Sequence, residues 1–119
     1  MITGDEYQLN HITIDKLNEE LDSYWEQILQ PNSLLREQAL TAGLSVKELD
    51  SLAGKTREDV IIIQQEGSGL GLITTTVIIA FTPVIAEVVK GLWKEVFLPR
   101  VKKKFGPDSI TAKEATSAK

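Results

Sequence analysis

A chain of 119 residues has room for one domain with a modest core, and 42 % apolar with 25 % charged residues is the composition of a folded protein. Cysteine is absent, which excludes disulfides, thiolate zinc sites and cysteine nucleophiles, and His11 is the one histidine. The net charge of −4 conceals a division: residues 1–66 carry 13 acids and five bases, net −8, whereas residues 67–119 carry eight bases and four acids, net +4. Such asymmetry points to ends that meet different partners. The first ten residues are polar and acidic, unlike a secretory signal, so a cytoplasmic start is expected.

The acidic half reads as small helices. Leu17, Leu21, Trp25, Ile28 and Leu29 recur at three- and four-residue steps with Glu19, Glu20, Asp22 and Glu26 between them, which predicts an amphipathic helix over 14–29. Pro31 stops it. A second helix is expected over 33–42, with Leu34, Leu35, Ala39 and Leu40 inward and Gly43 after its end. Ser45 and Glu48 make a capping box for a third, 46–52. Ala39, Gly43 and Leu49 also have helix-turn-helix spacing, but an arm of charge −8 is poorly suited to phosphates, so nucleic acid is not expected as a partner. Val60-Ile61-Ile62-Ile63 is β-branched and favours a short strand, although Thr56–Asp59 could equally cap a helix; the alternation at Tyr7, Leu9, Ile12 and Ile14 offers a partner strand.

No catalytic constellation stands out. Gly67-Ser68-Gly69-Leu70-Gly71 lacks the sixth-position glycine of a dinucleotide fingerprint, where Leu72 stands, and no Gly-Lys-Ser/Thr follows. It reads as a hinge. His11 has no nucleophile pattern beside it, and pairs such as Glu19/Glu20 suit a solvated helix face. The expectation is a non-enzyme without cofactor or metal.

Residues 67–86, GSGLGLITTTVIIAFTPVIA, hold no charge, and about 20 such residues in a helix match the hydrocarbon thickness of a bilayer. The small pairs Gly67/Gly71 and Thr76/Ala80 would let helices approach closely, and Pro83 would kink the run. Behind it, Lys90, Trp93, Lys94, Phe97 and Arg100, then Lys102, Lys103 and Lys104, form an aromatic and basic collar suited to anionic headgroups. The predicted fold is therefore mainly α. It comprises an acidic helical domain (1–54), an extended stretch and glycine hinge (55–69), an apolar-to-basic kinked helix (70–106) and a disordered tail (107–119). The predicted function is a membrane-associating effector or adaptor at the inner membrane face, held in check by the acidic domain. The alternative is a soluble interaction subunit whose apolar helix is buried in a homo-oligomer or larger complex.

One resemblance bears on this. Gln65-Glu66-Gly67-Ser68-Gly69, the apolar run through Ala80-Phe81-Thr82-Pro83-Val84, then Leu92-Trp93-Lys94 and Leu98-Pro99-Arg100 resemble small accessory or effector proteins of bacterial conflict systems over residues 58–106. The resemblance implies a partner-controlled protein acting at the membrane.

Overall fold

Polar–apolar alternation places the first strand. In β1 (Gly4–Asn10) Tyr7 and Leu9 are buried while Gln8 between them is half-exposed, the period-two pattern of a strand with one face on a core. The computed structural model of the protein describes residues 4–65 and 74–112. Thr13 then caps α1 (Ile14–Leu29), its hydroxyl accepting from the Lys16 amide, and Ser33 caps α2 (Leu34–Thr41) by accepting from Arg36. The Ser45/Glu48 capping box is formed in both directions at α3 (Val46–Asp50). These three helices agree with the periodicity to within two residues, apart from the inward face of α2. Leu35 and Ala39 are buried, but Leu34 is 62 % and Leu40 38 % exposed.

The next stretch satisfies both readings of residues 56–65. One turn of helix, α4 (Arg57–Val60), leads directly into β2 (Ile61–Gln65). Its partner is β3, not β1, and β1 ends before Ile12.

The expectation of a mainly α fold with an apolar helix is overturned at β3 (Thr74–Phe81), which lies where that helix was placed. The sheet is antiparallel, in the order β2-β3-β1-β4 with β4 at Ile110–Ala112, so β3 is an inner strand paired on both sides. Its sequence TTTVIIAF has six consecutive β-branched residues, whose restricted side chains disfavour a helix and suit a pleated surface. The run looks apolar all round because Val77 and Ile79 face the core while Ile78 and Ala80 fill the centre of the opposite face. Among the described residues no helix is long and apolar enough to cross a membrane. Pro83 does not kink a helix. It opens a 3-10 turn (Pro83–Ile85), a position where its missing amide costs nothing.

Beyond that turn α5 (Ala86–Leu92) continues through a π turn (Trp93–Phe97) into α6 (Leu98–Phe105). Pro99 accounts for the π turn: it has no N–H for the Glu95 carbonyl, and its ring would crowd that carbonyl in a regular ladder. The Leu98 amide instead bonds back to the Trp93 carbonyl. Ile110–Ala112, inside the stretch expected to be a disordered tail, instead form β4 along β1.

One hydrophobic cluster joins the helices to the sheet face carrying Tyr7, Leu9, Val77 and Ile79. At its centre Trp93 Nε1 donates to the Tyr7 hydroxyl at 2.9 Å, with the rings edge to face at 5.6 Å. Arg57, 5 % exposed, ties α1 to β2: Nε meets Asp22 at 2.8 Å, Nη2 meets Asn18 at 2.7 Å and Nη1 meets the Ile61 carbonyl at 2.9 Å. Asp22 is 60 % exposed, so solvent screens that ion pair, and the buried bond to the Ile61 carbonyl with the part-buried one to Asn18 carries most of the effect. Arg57→Ala is expected to lower stability by about 2–3 kcal/mol in urea unfolding, and Arg57→Lys to recover less than half, since an ammonium cannot span three acceptors.

Candidate functional site

With the apolar segment built into the sheet, the basic segment becomes the feature to place. In α6 the buried Val101 pins one side of the helix to the core. Arg100, Lys103 and Lys104 line the clefts between α6 and the two helices beside it, α1 and α2. Cations in the last turns of a helix are also favoured by its dipole.

Two cavities flank this ridge. One, about 440 Å³, lies between α2 and the π turn–α6 stretch; Leu34, Ala42, Val96 and Pro99 give it apolar walls, and Glu37 and Glu95 stand on its border. The other, about 360 Å³, lies between α1 and α6 and is lined by Glu20, Ser23, Tyr24 and Gln27 together with Lys104. Arg100 and Lys103 line both. Arg100 Nη1 donates to Gln38 Oε1 at 3.0 Å, which steadies the guanidinium between the cavities. Lys104 Nζ meets Glu20 Oε2 at 2.7 Å, so the half of this pair that is buried, Glu20, keeps a counter-charge. Lys103 is exposed and has no ion pair among the described residues.

Tyr24 sits at the inner wall of the α1–α6 cavity, 4 % exposed, its ring tilted against Phe97 at 5.5 Å. Its hydroxyl is buried and makes no hydrogen bond of regular geometry among the described residues, although the Glu20 carboxylate lies close enough to draw on its hydrogen and Arg100 lies within electrostatic reach. Burial first, and then the Glu20 carboxylate, push the pKa of this phenol well above its usual 10.0. Burial also raises Tyr7, opposed by the hydrogen bond from Trp93. Both groups therefore have folded pKa values above their unfolded ones. The stability they contribute is complete below about pH 10 and is lost as pH rises through the folded values. Ultraviolet titration of the native protein is expected to show little phenolate at pH 10, where the unfolded chain is half ionised. Ionisation of both tyrosines near pH 10 in folded protein would contradict this.

The other residues singled out from sequence are dispersed. Trp93 and Phe97 are fully buried in the core, which removes them from any lipid collar. Thr76 and Ala80 are strand residues on β3, and Pro83 is exposed at the turn that follows. Lys90 and Lys94 are exposed on α5 and the π turn without bordering either cavity, and Lys102 is half-buried. Gly67 and Gly71 lie outside the described residues. Tyr24, Ser23, Gln27 and Gln38 were missed. Tyr24 had a signal, since it falls three residues after Leu21 and four before Ile28, a polar tip on the apolar stripe of α1. Among the described residues no group of three His, Asp or Glu side chains is placed to hold a metal ion. No known family, curated protein or solved structure matches the chain.

Proposed function

We propose that this chain is a non-catalytic binding subunit, an adaptor that seats an acidic, partly apolar segment of a protein partner in the groove between α1, α2 and α6. The observation that carries this reading is the sharing of Arg100 and Lys103 by a polar and an apolar cavity. A segment bearing a carboxylate next to a leucine-like side chain satisfies both at once: the cations supply steering and register, and burial of the apolar side chain supplies affinity. The partner control implied by the resemblance to accessory proteins of bacterial conflict systems fits an adaptor of this kind.

The test is fluorescence anisotropy with a labelled peptide of alternating glutamate and leucine. Wild type is expected to bind it in a salt-sensitive manner, and Arg100→Glu with Lys103→Glu to weaken binding at least about tenfold while the circular dichroism spectrum is kept. Equal binding by the double variant, or none by wild type, would refute the groove. Association of a second copy through the same surface would appear in sedimentation as a dimer that the double variant abolishes, and it would replace the separate partner in this reading.

A further inference from the structure

We infer that the α1–α6 cavity is a phosphate subsite, and that the docked segment carries a phosphorylated serine or threonine whose phosphate meets Tyr24, Arg100 and Lys103. This rests on the groove being a docking site for an acidic segment and specifies its chemistry.

Donor number is the first argument. Tyr24, Arg100 and Lys103, each with a hydrogen-bond donor, line this cavity from two helices. Ser23 joins them: its Oγ accepts from Gln27 Nε2 at 3.2 Å, which leaves its own hydrogen for a ligand oxygen. A carboxylate offers two oxygens to such a set, whereas a phosphate monoester offers three strong acceptors. Charge is the second argument. Arg100, Lys103 and Lys104 against Glu20 leave the cavity with two net positive charges, which match a phosphate of about −2 better than a carboxylate of −1.

The third argument is the buried hydroxyl itself. In the free protein that hydroxyl has only the Glu20 carboxylate near it and no hydrogen bond of regular geometry, and a well-placed ligand oxygen that accepts its hydrogen supplies one. An anionic bilayer would not do as well. Glu37 and Glu95 border the adjoining cavity, and an extended anionic surface would confront both, whereas a peptide can enter locally.

The experiment compares two peptides of one sequence, with phosphoserine or glutamate at the central position, on wild type and Tyr24→Phe. The phosphopeptide is expected to bind wild type about tenfold more tightly. Tyr24→Phe removes only the hydroxyl and should narrow that ratio to about twofold, weakening the phosphopeptide more than the glutamate peptide. Equal binding of the two peptides by wild type overturns the phosphate subsite and leaves the docking function standing; binding of neither overturns both. A ratio unchanged in Tyr24→Phe removes Tyr24 from the site, and displacement of the phosphopeptide by phosphatidic acid vesicles would assign the phosphate to lipid.

Discussion

Ile79→Lys is expected to unfold the whole chain. Ile79 has no exposed surface and sits on an inner strand between Asp5 of β1 and Ile63 of β2, facing the helices. The substitution forfeits about 1.5–3 kcal/mol of apolar burial and places an ammonium where desolvation costs several kcal/mol more. A domain of this size has about 5–15 kcal/mol in total. The far-UV signal of α1–α3 should be lost together with the cooperative transition. Ile78→Lys is the control: Ile78 is half-exposed on the opposite face, so its lysine can extend into water and the protein should stay folded at a cost of about 1 kcal/mol. Native helices in Ile79→Lys would mean that β3 lies outside the cooperative core.

The second large effect is expected at Trp93. Trp93→Ala should destabilise by about 3–5 kcal/mol, because the fully buried indole fills the space between the π turn and β1. Trp93→Phe keeps much of the ring but strands the buried Tyr7 hydroxyl, at about 1–3 kcal/mol. A cycle with Tyr7→Phe should return a coupling of about 1 kcal/mol, since the double variant leaves neither partner unsatisfied. Trp25 and Trp93 are the two tryptophans, at 4 % and 0 % exposure, so emission should be blue-shifted and indifferent to anionic vesicles. An emission shift on adding vesicles would show that an indole leaves the core.

The helices of the acidic half were legible because their determinants are local. Thr13, Ser33 and Ser45 cap residues three positions on, and the α1 stripe repeats within a few turns. The sheet was not legible because its determinants are distant. β1 pairs with β3 some 70 residues away, and nothing in Tyr7 or Leu9 states that register. Residues 74–81 were misread for a different reason. Their β-branched run carried the same strand signal that was credited at Val60–Ile63, but the length of the uncharged stretch outweighed it. An inner strand is apolar on both faces, as a membrane helix is apolar all round, so hydropathy alone cannot separate them.

The site divides in the same way. Arg100 and Lys102–Lys104 stood out as a charge cluster, but their partners did not. Gln38 lies 62 residues from Arg100 and Glu20 lies 84 from Lys104. Leu34 was assigned to the core because Leu34-Leu35 reads as inward, whereas only Leu35 turns in and Leu34 is left to wall the apolar cavity. The aromatic collar failed on periodicity. Trp93 and Phe97 fall on the same stripe as Val89, Leu92, Val96 and Val101, which is the core face.

The central claim is that function resides in the α1–α2–α6 groove and not in the apolar segment. Its most direct test is a backbone amide titration of the intact protein with the alternating glutamate–leucine peptide. Shifts concentrated in residues 20–27, 34–42 and 95–104, with the strands unperturbed, are the predicted result. Shifts confined to β2 and β3, or none at saturating peptide, would contradict the account.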